Sequence, residues 1–107
     1  SSPSRGLGDV YKRQLYVRLG NVYLDGDQFT KAADSVQKGL KKGGVKRPDQ
    51  ARLVLGMAYF NLGEYDKARR AFREAGKDDR SAKYSKQWIA YVTSEEDRQR
   101  ELEKDIF

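Results

Sequence analysis

The tightest constraint in this chain is a run of small and aromatic residues over positions 52–75, RLVLGMAYFNLGEYDKARRAFREA. Leu55, Gly56, Tyr59, Gly63, Tyr65, Ala68, Phe72 and Ala75 fall in the order L-G-x2-Y-x3-G-x-Y-x2-A-x3-F-x2-A. The spacing predicts two short helices facing each other across a tight turn. Gly56 and Ala68 lack bulk, so two backbones can approach there while Leu55, Tyr59 and Phe72 fill the space around the contact. Gly63 stands where the first helix ends and a positive φ is needed.

This pattern resembles the tetratricopeptide repeat, a helix–turn–helix unit of about 34 residues. A weaker copy precedes it. Leu19-Gly20 match Leu55-Gly56, Tyr23 matches Tyr59, Phe29 matches Tyr65 and Ala32 matches Ala68, each 36 residues apart. The two extra residues are expected in the connector at 43–48, GGVKRP, where glycine and proline tolerate insertion. In this copy Gly26 lies one position early, Val36 replaces the aromatic and Gly39 replaces the alanine. A glycine inside a helix costs about 1 kcal/mol against alanine. Asp49, after Pro48, is a plausible start for the next helix.

From position 80 the sequence RSAKYSKQWIAYVTSEEDRQRELEKDIF reads as a third helix, with Tyr84, Trp88, Tyr91 and Val92 as its apolar stripe. Ile89-Ala90 lie 34 residues after Leu55-Gly56, but no second helix of the A-x3-F-x2-A kind follows. Residues 94–104 are nearly all charged, and Ser94 with Asp97 would form a new N-cap if the helix broke there. The expected architecture is an all-α helix–turn–helix repeat solenoid. It has two tetratricopeptide-like repeats, over 15–43 and 49–76, closed by a capping helix and charged extension over 80–107. Such arrays need an end helix with a polar outer face.

Residues 4–14, SRGLGDVYKRQ, are similar to the in-frame translation of a transposon adapter from DNA-library preparation. That similarity implies that residues 1–14 form a non-native, disordered tail and that the biological sequence begins near Leu15, as the C-terminal fragment of a longer repeat protein. The charge balance changes with it. The chain carries +6, and in residues 1–14 Arg5, Lys12 and Arg13 outweigh Asp9 by two, leaving +4 for the rest. This mild excess argues against nucleic acid as the partner.

The residues needed for chemistry are scarce. There is no cysteine and no histidine, which excludes disulfides, thiolate metal sites and the usual general base near neutral pH. Asp25 and Asp27 stand as at the start of a calcium loop, but the remaining ligands do not line up. No phosphate-cradling glycine loop or serine-nucleophile motif is present. No apolar run approaches a membrane span. The reading is therefore a non-enzyme with no cofactor and no metal. Basic residues gather at Lys38, Lys41, Lys42, Lys46 and Arg47, and again at Arg69, Arg70 and Arg73. The first group complements a helix C-terminus, and the second reads as a solvated outer face. Tyr23, Tyr59, Tyr65, Phe72 and Trp88 read as inter-helix filler.

The resemblance implies a protein or peptide partner lying in a groove lined by the first helix of each repeat. By position, the groove would display Asn21, Leu24 and Asp25 from the first repeat, with Val17 beside them. Met57, Phe60 and Asn61 come from the second, together with Leu53, and Gln87 and Tyr91 from the third helix. Leu24, Met57, Phe60 and Tyr91 would make its apolar stripe. Val17 and Leu53 stand where carboxylate-clamp members of the family carry lysine, which argues against that subtype. Two other functions remain open: a basic module binding RNA or another polyanion, and an end cap meeting only upstream repeats of the same chain. The segment 41–48 and the ending QWIAYVTSEEDRQRELE are similar to the C-terminal region of repeat proteins that accompany energy-transducing outer-membrane uptake systems in marine bacteria. That implies a bacterial setting, cytoplasmic or periplasmic, with the periplasm favoured.

Overall fold

A computed structural model describes residues 3–106. Five helices follow one another: α1 (Pro3–Asp25), α2 (Phe29–Lys42), α3 (Pro48–Asn61), α4 (Tyr65–Ala75) and α5 (Asp79–Ile106). Each packs only on helices one or two places away in the chain, and α3 touches all four others. Contacts that stay this local are the mark of a stacked repeat rather than a closed globule. The radius of gyration agrees: 15.9 Å, against about 13 Å for a compact chain of this length.

The two hairpins repeat one another in detail. Gly20 faces Val36 across α1 and α2, and Gly56 faces Phe72 across α3 and α4. A Cβ on Gly56 would stand 2.6 Å from the Phe72 ring, so only glycine lets that ring seat flat against the α3 backbone. Lys31 lies 5.8 Å from the Tyr23 ring and Lys67 lies 5.7 Å from the Tyr59 ring, the same pair one repeat later. The faces of α2 and α4 follow from spacing. Ala32, Ala33, Val36 and Gly39 are buried along α2, and Ala68, Ala71, Phe72 and Ala75 along α4. Around them lie two cores. One joins α2 and α3 through Val36, Val45, Val54 and Leu55, and the other joins α4 and α5 through Ala68, Phe72 and Val92.

Both hairpin turns use a left-handed residue. Gly63 has φ 76°, as its position predicts. In the first repeat the equivalent position is Asp27, with φ 59°, and not the early glycine at 26. Aspartate is among the few side-chain-bearing residues that tolerate this conformation. The connector at 43–47 has five residues against three at 76–78. Gly43 and Gly44 supply positive φ there.

Three expectations need correction. Residues 3–14 are not a disordered tail but the first part of α1, whereas residues 1–2 lie outside the described chain. The glycine at 39, costly by helix propensity, explains how α1 seats. A Cβ there would stand 3.1 Å from the Arg13 carbonyl and 3.2 Å from Val17 Cγ2. Next, α5 runs unbroken past Ser94, so no new helix is capped at that point. Its charged half carries pairs one helical turn apart, including Glu95–Arg98 at 3.0 Å and Glu101–Lys104 at 3.2 Å. Each such pair supports helix by about 0.2–0.5 kcal/mol. Finally, Tyr84 is exposed, and the buried side of α5 is made by Ser81, Ser85 and Val92. Ser85 Oγ donates to the Phe72 carbonyl, and the serine side chain lies against Gly76. Small hydroxyls fit where α5 crosses the end of α4 closely.

Candidate partner-binding surface

The aromatic residues gather where α3, α4 and α5 meet. Trp88 stacks on buried Phe72, with centroids 5.1 Å apart and planes 10° from parallel. Phe60 lies 6.0 Å from Tyr65, 6.2 Å from Trp88 and 5.3 Å from Tyr91. Trp88 and Tyr91 meet edge to face at 5.9 Å and 80°. Offset and edge-to-face pairs at these distances hold rings in fixed orientations. The result is an aromatic corner of mutually packed rings whose last ring, Tyr91, remains 49% exposed. Gln87, Trp88 and Tyr91 line a shallow cavity of about 210 Å³ there.

A second cavity, of about 310 Å³, opens between α1, α3 and the 43–47 connector. Its lining includes Gln14, Val17, Asn21, Lys46, Gln50 and Val54. These residues were not predicted as a set, although Gln14 and Gln50 stand 36 residues apart and Gln14, Val17 and Asn21 share a helical face.

Of the residues predicted to line a groove, Met57 and Phe60 both pack against the α4–α5 core, and Gln87 and Tyr91 meet at the aromatic corner. Leu24 does not join them. It is half-buried against the other core, the one containing Ala32, Val36 and Leu55. Asp25 is exposed at the end of α1. Asn21 and Asn61 are exposed, and each donates its amide to its own helix, Asn21 to the Val17 carbonyl at 3.1 Å and Asn61 to the Met57 carbonyl at 2.8 Å. Trp88, expected as filler, both fills the core and lines the cavity.

Two charged networks fix this surface in place. Asp49, 2% exposed, accepts from Arg47 Nε at 2.9 Å and Nη2 at 2.7 Å, and from Ser81 Oγ at 2.7 Å. The bidentate Arg47 contact, aided by the Ser81 hydroxyl, holds the Asp49 carboxyl well below the usual carboxylate range against the opposing effect of burial. This bond set ties the connector and the first turn of α5 to the start of α3. Arg69 of α4 pairs with Asp66 of its own helix at 2.5 Å and with Glu96, further along α5, at 3.0 Å. Its side chain is only 13% exposed, so Arg69 is a tie between α4 and α5 and not part of a solvated basic face. Arg70 and Arg73 are exposed, as expected.

Among the described residues no helix is long and apolar enough to cross a membrane, and no cluster of acidic side chains is placed to hold a metal ion. Two helical hairpins and a fifth helix, stacked in order around α3, define a helical-repeat scaffold. Residues 17–82, more than half of the chain, match the tetratricopeptide repeat family model, and the chain belongs to that family. Repeats of this family serve generally in protein–protein interaction. No curated protein and no solved structure matches the chain.

Proposed function

We propose that the chain docks a segment of a protein partner along the face shared by α1, α3 and α5, with the aromatic corner as its anchor. The observation that carries this reading is Tyr91, half exposed yet braced by Phe60 and Trp88. A ring already fixed loses little conformational freedom on contact, and rigid aromatic residues dominate binding energy at interfaces. The Gln87 amide beside it can bond a partner backbone, and Asn21, Asp25 and Asn61 supply polar contacts along the face. Met57 shapes the wall behind Phe60, while Leu24 contributes through the core beneath. The mechanism is binding without chemistry.

A random peptide library selected on this protein tests the reading. Trp88 is the only tryptophan, so its fluorescence reports occupancy of the corner. Selected peptides are expected to shift that emission and to lose affinity on Tyr91→Ala. Peptides that bind without moving Trp88 emission would contradict the aromatic anchor, and heparin binding that disappears at high salt and ignores Tyr91→Ala would favour the polyanion reading instead.

A further inference from the structure

We propose that the cavity between α1 and α3 receives a side-chain carboxylate of the docked segment, held by Lys46 and by the amides of Gln14 and Gln50. This inference rests on the docking reading and assigns it a second, chemically distinct pocket. Three features point to an acidic occupant. The lining holds two cations, Lys46 and Arg47, and among the described residues no carboxylate. Arg47 is already matched by Asp49 at 2.7 Å, so the surplus positive charge over the cavity belongs to Lys46, which is exposed. The buried Gln14 Nε2 has no hydrogen-bond partner among the described residues. A buried donor without a partner is costly, and a small rotation of the Gln14 side chain toward an entering carboxylate oxygen would satisfy it.

The pocket does not depend on Gln14 alone. Lys46 and Gln50 lie downstream of the adapter-like segment, and Gln50 carries the same amide one repeat later. The site differs from a terminal-carboxylate clamp, since its cation comes from the inter-repeat connector and not from the groove helices. With the aromatic corner at the α3–α5 junction, it selects a segment bearing an Asp or Glu at a set interval from an apolar or aromatic residue.

The test uses random dodecapeptides displayed with their C-termini fused to the phage coat, so that only a side-chain carboxylate can answer. Enriched peptides should share an acidic residue at one position. Lys46→Met should weaken them about tenfold, as expected for loss of a charge-assisted hydrogen bond. Lys46→Glu should shift the selected residue to Lys or Arg, and Gln50→Leu should weaken the acidic peptides. Peptides that need Tyr91 but show no acidic preference, or that are unmoved by Lys46→Met and Lys46→Glu, overturn the pocket while leaving the docking reading intact. Enrichment of no peptide, or of peptides indifferent to Tyr91→Ala, overturns both. Lys46 is exposed, so neither substitution threatens the fold.

Discussion

Ser81 Oγ donates a 2.7 Å hydrogen bond to Asp49 Oδ2, joining the first turn of α5 to the first turn of α3 across 32 residues. Asp49 is also the acidic residue that complements the N-terminal dipole of α3. One buried carboxylate therefore fixes a helix start, the preceding connector and the angle at which the last helix stacks.

Asp49→Ala should destabilise the protein by about 1–3 kcal/mol, since it leaves Ser81 and part of Arg47 without partners. Urea unfolding measures it. The carboxyl sits below its ordinary value when folded, so its stabilisation is complete above that value, about 3.9. It is lost as pH falls through the range below. Wild type should weaken between pH 4.5 and pH 2 more steeply than Asp49→Asn. Equal slopes in the two proteins would show that the network contributes nothing.

Gly56→Ala should cost about 1–3 kcal/mol because the new methyl enters the Phe72 ring. Phe72→Leu, made in the Gly56→Ala background, should cost less than in wild type, a coupling that a double-mutant cycle reads directly. Additive effects would contradict the close approach.

Asp27→Gly should stabilise the first hairpin by about 0.5–1 kcal/mol, because the left-handed φ of 59° then carries no Cβ penalty. Thermal melting decides it. A lowered midpoint would mean that the Asp27 side chain contributes more than the backbone conformation costs.

Arg69→Ala should destabilise by about 1 kcal/mol, and Arg70→Ala, on the exposed side of the same helix, should change stability by less than about 0.5 kcal/mol. Equal small effects would return Arg69 to the solvated face that sequence composition suggests.

Much of this fold is legible in the residues themselves. Gly56, Gly63, Ala68 and Phe72 announce a hairpin because a close helix crossing admits few alternatives at each position. The buried serines of α5 are not legible, since hydropathy ranks Tyr84 above Ser81 and Ser85, and only the proximity of Asp49 and Gly76 reverses that order. Asp27 likewise takes a turn conformation that sequence would give to the neighbouring glycine. The site is half legible. Phe60 and Tyr91, which the family resemblance sets near one another, do meet, but the pocket at Lys46 and Gln50 depends on how a connector folds back over two helices, which periodicity does not encode.

The most direct measurement of partner docking is Trp88 fluorescence during titration of library-selected peptides into wild type, Phe60→Ala and Tyr91→Ala. Saturable change in wild type, weakened at least tenfold in both variants while each remains folded by circular dichroism at the titration temperature, is the predicted result. Unchanged affinity in two folded variants would contradict the assignment of the aromatic corner as the anchor.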